Sequence, residues 1–437
     1  MKNARALDEL LLVFLGLTVV LVPLLYPEFS LGSITITITD LATLLLGIGF
    51  LLRLTQRKLD LKPTKVDIVF FALIIWGAIS LLKTVNLPDS MRDFLWLLNS
   101  GLVFYIVSHA DLKEDEVIRI FRTACYGAAL IAVMSIWQHY VLHQRTYFTL
   151  HNANHLAGYL IFYLPILIGF KYGKRVDQRF FWGILATVVS TALVVTYTRG
   201  GWIAAIISLV VMAVMKDKKL LIFLIIYIMA YTWLFTPVGN RDIFVTNGMA
   251  VGDRALSILK EHETANGQYR IQLWLTALQM FRDNPMDGVG IGNYYNLHDI
   301  YLAKYPYLDR GRPARNPHSS FLKILAETGI IGFALFMGLL VAVAKQSFML
   351  WYKLGSRGDA LIVGFICGAG AVIIQANTNI LFHLSRGVFG VWVGSALVMQ
   401  LAKEAQTASL QESVPAKGKW FEMNNVARPA IGKKLNC

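Results

Sequence analysis

The chain is short of charge, of acid and of cysteine. Only 16% of its 437 residues are charged, against 56% that are hydrophobic. A water-soluble globular chain carries about a quarter charged residues, so this balance excludes a freely soluble domain and makes lipid the solvent. The three cysteines, Cys125, Cys367 and Cys437, exclude a disulfide framework or a thiolate metal site, since two fall in apolar runs and one ends the chain. The terminal "KLNC" lacks a C-a-a-X pattern and gives no ground for a lipid anchor there. Acidic residues number 27 against 41 Lys and Arg, a net charge of +14. The surplus is spread along the chain as a topology signal and does not indicate nucleic acid. Low-complexity segments and internal repeats are also missing. The first apolar run has no small-residue cleavage site, so it is expected to be a retained helix.

What is there is a succession of apolar runs near bilayer-spanning length. We read about twelve, near 8–26, 37–52, 66–82, 93–108, 118–138, 155–170, 180–197, 201–215, 219–235, 329–345, 359–377 and 387–402. The fold class is therefore an all-α polytopic membrane protein. Lys2, Arg5, "RLTQRKLDLKPTK", "KYGKRVDQR", "KDKK", "KQSFMLWYKLGSR" and the basic tail fall in alternate connections, which makes those connections and both termini cytoplasmic. The chain then divides into residues 1–235 with helices 1–9, a large outer loop over 236–317, helices 10–12 over 318–402, and a cytoplasmic tail over 403–437.

The outer loop is too long for a connection and too aromatic for disorder. Within it "QYRIQLWLTALQMFRDNP" mixes Ile271, Leu273, Trp274, Leu278 and Phe281 with polar positions, as an amphipathic helix at the membrane surface does. Asn284-Pro285 stops that helix. The following "GVGIG" reads as a turn-rich loop, because a dinucleotide site needs a preceding strand and a cytoplasmic face.

The residues able to do chemistry gather on the outer side. Arg199, in "YTRGGW", stands between two spans with almost no loop, and Gly200 and Gly201 open the next helix. An arginine beside bare N–H groups at a helix N-terminus is a natural anion site. The alternative is an interfacial arginine snorkelling to water or lipid phosphate. Arg270, in "YRIQLW", is a second cation, with a solvated helix face as its alternative. His318 follows Asn316-Pro317, with Ser319 and Ser320 expected in the first helical turn and Arg310, Arg312 and Arg315 just upstream. Residues 318, 322, 325 and 329 then share one helical face. A neutral histidine there can accept a proton from a hydroxyl; the alternative is a histidine bonded to a loop carbonyl. Lys323 and Glu327, spaced i, i+4, read as mutual neutralisation inside the bundle. The pairs His139/His143 and His151/His155 could supply nitrogens to zinc, but no carboxylate motif accompanies them, and we assign no metal.

Together these residues resemble the O-antigen ligase and polymerase superfamily of bacterial envelope glycosyltransferases. Its ligases carry a histidine, then Asn, Ser or Gln, nine residues, a glycine, two residues, and Gly, Thr or Tyr. His318, Ser319, Gly329 and Gly332 match each fixed position. "NPHSSFLKILAETGIIG", "TRGGW", the "RIQLW…NPMDGVGIGNY" block and "NANHLAGYL" extend the resemblance over nearly the whole chain. A long extra C-terminal outer domain, common among protein O-oligosaccharyltransferases of this superfamily, is not expected from these residues.

The resemblance implies a GT-C-like membrane fold in the bacterial inner membrane, with a periplasmic active site. It implies a glycan donor on undecaprenyl diphosphate and a lipid A–core or other glycolipid acceptor. Arg199 and Arg270, with Gly200 and Gly201, would bind the donor diphosphate, and His318 would be the general base. Asn316, Ser319, Arg315, Arg312 and Tyr294 would support them. Inverting transfer would need no cofactor and no metal. The acceptor separates a ligase from a polymerase, and it is not legible in the residues. A transporter would show inverted repeats and broken helices at mid-membrane, which the sequence does not display. A non-catalytic scaffold, docking a partner through the loop, is the remaining alternative.

Overall fold

A computed structural model describes residues 2–24, 28–31, 34–55, 61, 63–143, 146–150, 152–173, 178–216, 218, 220–222, 265–311, 316–354, 360–382 and 386–413. It is built almost wholly of helices. In chain order these are α1 (Lys2–Leu24), α2 (Ile38–Leu54), α3 (Lys65–Ser80), α4 (Leu87–Ser108), α5 (Glu114–Leu142), α6 (Ala153–Tyr172), α7 (Arg179–Val195) and α8 (Arg199–Met215). Then come α9 (Ala265–Asp283), α10 (Tyr294–Lys304), α11 (Ser320–Lys353), α12 (Ala360–Ala376) and α13 (Arg386–Ser413). An antiparallel hairpin, β1 (Glu28–Leu31) with β2 (Ile34–Thr37), joins α1 to α2 and departs from the expected all-α fold. Eleven of the predicted spans coincide with helices, while 219–235 lies outside the described residues beyond 220–222.

Among the described residues, four helical stretches are long and apolar enough to cross a membrane: Lys65–Lys83, Glu114–Leu142, Ala153–Tyr172 and Ser320–Lys353. Shorter apolar helices accompany them, including Arg179–Val195, Arg199–Met215 and Ala360–Ala376. The core is built around α6, whose side chains from Leu156 to Leu167 are almost all buried. Asn152 opens this helix, accepting at its Oδ1 from the N–H groups of Asn154 at 2.9 Å and His155 at 3.0 Å. Against α6 packs α12, and "GFICG" sets their approach. A Cβ on Gly364 would stand 2.5 Å from the Pro165 carbonyl oxygen, and one on Gly368 would collide with that of Phe162. Two small residues four apart thus let the backbones touch, which suits helices packing in lipid.

The helix α11 is broken. Gly329 has φ +65° and ψ −168°, so Ser320–Thr328 and Ile330–Lys353 are two segments. A break leaves carbonyls of the first segment and N–H groups of the second without intrahelical partners. The loop between α9 and α10 supplies these partners. Val289 and Gly290 donate to the carbonyls of Ala326 and Glu327, each at 2.9 Å, and Trp76 Nε1 donates to that of Thr328 at 2.9 Å. Ile330 and Ile331 donate to the carbonyls of Pro285 at 2.9 Å and Met286 at 3.4 Å. The "GVGIG" stretch is therefore neither a nucleotide loop nor a loose turn. Gly288, Gly290 and Gly292 all have positive φ, and Gly288 and Gly329 each lie against the other segment's backbone, where a Cβ would not fit.

The same loop is tied to the turn between α3 and α4. Asn293 Nδ2 donates to the carbonyls of Lys83 and Val289 at 2.8 Å, and its Oδ1 accepts from Val85 N at 3.1 Å and Ser90 Oγ at 3.3 Å. Lys83 Nζ reaches Asp287 at 2.7 Å and the Gly288 carbonyl at 3.0 Å. The helix expected over "QYRIQLWLTALQMFRDNP" is α9. Leu273, Ala277 and Met280 are buried on one side, and Leu275 and Leu278 are exposed on the other.

Candidate active site

Three helices begin at one end of the bundle, and a short segment after α12 joins them. Thr198, which precedes α8, has no side-chain cap interaction with the helix; its hydroxyl donates to the Ala153 carbonyl at the start of α6, at 3.1 Å. Gln375 Nε2 donates to the carbonyl of Asn154, one residue further along α6, at 2.9 Å. Asn379 faces the other two helices. Its carbonyl accepts from Ser320 N at 3.2 Å and Ser320 Oγ at 3.0 Å, at the start of α11. Its Nδ2 would lie 3.7 Å from a Cβ on Gly200, at the start of α8, and Thr378 Oγ1 would lie 2.8 Å from it. The N-termini of α6, α8 and α11 thus converge, and their dipoles add as partial positive charge where Arg199 stands.

Gly200 and Gly201 have a packing reason as well as the expected one. A Cβ on Gly201 would stand 2.9 Å from that of Ala157. Bare backbone lets α8 begin tightly against α6 and the segment after α12. Arg199 itself is half-buried.

His318 is not on the helix. Its φ is +47°, Ser319 is the N-cap, and the helix starts at Ser320. The Ser319 hydroxyl accepts from Leu322 N at 3.3 Å. This corrects two expectations: the serines do not share the first turn, and residues 318, 322, 325 and 329 do not form one helical face. The reason is Ser320. Besides its two donations to Asn379, its Oγ accepts from Leu381 N at 2.8 Å and Phe382 N at 3.3 Å. That distant segment fixes the helix start and turns His318 out of it. Tyr197, just before α8, is likewise left-handed at φ +54°. Non-glycine residues held at positive φ carry strain, which collects at functional positions.

Arg270 is half-buried near the start of α9. Helix α9 packs on α11, and α9 and the first segment of α11 both reach the break at Gly329 by their C-terminal ends. Their N-terminal ends therefore lie on the same side of the break, so Arg270 belongs to the end of the bundle that carries His318. Arg310 N donates to Gln272 Oε1 at 2.8 Å, which brings the chain approaching His318 onto α9. Asn316 is half-buried. Arg312 and Arg315 lie outside the described residues. Tyr294 is buried, and its hydroxyl donates to the Leu273 carbonyl at 2.7 Å. Its support is that of a strut between α10 and α9.

The Lys323–Glu327 pair is real but incomplete as read from spacing. Lys323 Nζ is 3.6 Å from Glu327 Oε1 and 2.5 Å from Asp93 Oδ2 on α4. All three side chains are buried. Asp93 was missed, although a carboxylate inside the apolar run 93–108 is itself a signal. Asp93 also helps line a cavity of about 50 Å³ with Phe70, Leu97, Phe336 and Trp392. Among the described residues, no group of three or more His, Cys, Asp or Glu is arranged to hold a metal.

Two comparisons with known proteins bear on identity. Residues 183–337, which include Arg199, Arg270 and His318, match the family model described as O-Antigen ligase. The chain is also similar to the O-antigen ligase of Salmonella typhimurium, with 20% identity over 319 residues, covering 70% of this chain and 77% of the relative. The family match and this similarity support a place for the chain in the O-antigen ligase superfamily.

Proposed function

We propose that this protein is an inverting glycosyltransferase of the ligase kind, working at the periplasmic face of the bacterial inner membrane. It moves a glycan from undecaprenyl diphosphate to a sugar hydroxyl of lipid A–core. The observation that carries this reading is the meeting of three helix N-termini beside Arg199, at the end of the bundle where His318 is turned out of its helix. A lipid diphosphate is the ligand such a site favours, because its negative charge grows as it departs.

In the reaction the acceptor hydroxyl oxygen attacks the anomeric carbon of the donor sugar. His318 takes the hydroxyl proton, and the bond from that carbon to the diphosphate oxygen breaks. The electron pair leaves with undecaprenyl diphosphate, whose charge Arg199, Arg270 and the first N–H groups of α8 stabilise. Displacement from the opposite face inverts the anomeric configuration. The energy resides in the donor bond, so the reaction needs no nucleotide.

The test is direct. Purified protein in EDTA is given a lipid-linked donor together with lipid A–core, or with a second lipid-linked repeat unit. Transfer to lipid A–core alone supports the ligase. Chain extension of the donor instead would make the protein a polymerase, and no transfer to either would reject both.

A further inference from the structure

Helix α10 lacks a cap of its own. Asn293 is its N-cap residue, but no side-chain bond from Asn293 caps the helix. Both ends of that amide are committed to Lys83, Val85, Val289 and Ser90. The acceptor comes from another helix: Tyr294 N donates to Glu327 Oε1 at 3.0 Å. A carboxylate at a helix N-terminus satisfies orphan N–H groups and matches the dipole.

This cap is wholly buried, so its charge has to be balanced by others. Lys323 and Glu327 alone would balance, but Lys323 is closer to Asp93, and Arg92 Nε lies 3.9 Å from the other Asp93 oxygen. Arg92 lies nearer to Asp89, at 3.1 Å, so the buried charges are Lys323 and the two carboxylates it joins, Asp93 on α4 and Glu327 on α11. The cluster therefore fastens α4, α10 and α11 to one another.

Its place in the chain gives it a role at the site. Glu327 lies one residue from the end of the short first segment of α11, and His318 precedes that segment's other end, about 10 Å away at 1.5 Å per residue. Tyr294 extends the connection the other way, its N–H on Glu327 and its hydroxyl on the carbonyl of Leu273, three residues from Arg270. A line of buried polar bonds thus runs from the helix behind His318 to the turn that carries Arg270.

We propose that Glu327, held by Lys323, which Asp93 in turn anchors, is a positioning residue that sets Arg270 relative to His318 by capping α10 beside the break in α11. The inference rests on the transfer reaction proposed above. Its expected signature is loss of turnover without loss of donor binding, because Arg199 stays in place.

Glu327→Gln keeps the size and leaves an amide oxygen for Tyr294 N, but removes the charge. Tyr294→Phe removes only the bond to Leu273 and is the milder change. We expect Glu327→Gln to lower kcat by about ten- to a hundredfold, the scale of a misplaced catalytic group, with KM for the lipid-linked donor within twofold. Tyr294→Phe should show the same split at smaller amplitude. Hydrogen exchange in Glu327→Gln should rise at residues 292–297 and stay unchanged in α6 and α12. Normal kcat in both variants, or exchange at 292–297 like wild type, overturns the proposal. So does an equal fall of kcat and protein stability, which makes the cluster a folding device. If wild-type protein transfers no glycan, the function is wrong, and the exchange arm alone decides whether Glu327 holds α10.

Discussion

Ser320 gives its backbone N–H and its hydroxyl to a single acceptor, the carbonyl of Asn379, at 3.2 and 3.0 Å. The same hydroxyl oxygen accepts from Leu381 and Phe382. One small side chain therefore joins the start of α11 to the segment that also packs on Gly200. We expect Ser320→Ala to destabilise the protein by about 1–3 kcal/mol, because it leaves two buried N–H groups without their acceptor. Ser319→Ala, which loses one cap bond, should cost about 1 kcal/mol. Thermal unfolding in detergent should rank the two in that order, and the reverse order would remove Ser320 from its central place.

Gly329→Ala tests the broken helix. Its φ and ψ lie where essentially only glycine is found, which costs a side chain about 1–3 kcal/mol, and a Cβ would collide with the Met286 carbonyl. Relaxation toward a continuous helix should release the 285–290 loop, seen as faster proteolysis between α9 and α10. A variant with wild-type proteolysis and stability would show that the break is not enforced there.

The arginines test the diphosphate site. Arg199→Ala and Arg270→Ala should each lower transfer strongly at near wild-type stability. Arg199→Lys should also be impaired, because an ammonium lacks the planar fork that matches two phosphate oxygens. Full activity in Arg199→Lys would mean that charge alone is required.

A general base has to be neutral, so transfer that uses a histidine base should decline on the acid side. His318→Ala should lose about a hundred- to ten-thousandfold in rate together with that acid limb, while donor binding survives. Loss of donor binding with normal turnover of bound donor would recast His318 as a diphosphate ligand.

Between α9 and α10 a second pH dependence is expected. Burial works against the Asp283 carboxylate, but bonds from Lys304, Tyr305 and Gln279 outweigh it and hold its pKa below the usual value. A carboxylate with a lowered folded pKa stabilises above its unfolded value, about 3.9, and the contribution disappears as pH falls through the lowered one. Asp283→Asn should therefore exchange faster than wild type over residues 279–307 at pH 7, and the two should converge in acid. A difference that grew on acidification would reverse the sign.

Much of this was legible in residue order. Hydropathy located eleven helices because a helix in lipid has to be apolar over its own length, which is a local property. The fixed positions of the histidine motif also have local causes, with Ser319 as a cap and Gly329 at the break. The partners of polar groups were not legible in this way. The i, i+4 spacing found Glu327 for Lys323, but Asp93 lies 230 residues away and became its nearer partner only when the fold brought that α4 side chain within reach of Lys323. Spacing likewise drew the helix back to His318, whereas the carbonyl of Asn379 begins it at Ser320. Periodicity and propensity act over a few residues. A buried charge or an open helix end is satisfied by whichever group packing brings within about 3 Å, and only the tertiary structure decides which group that is.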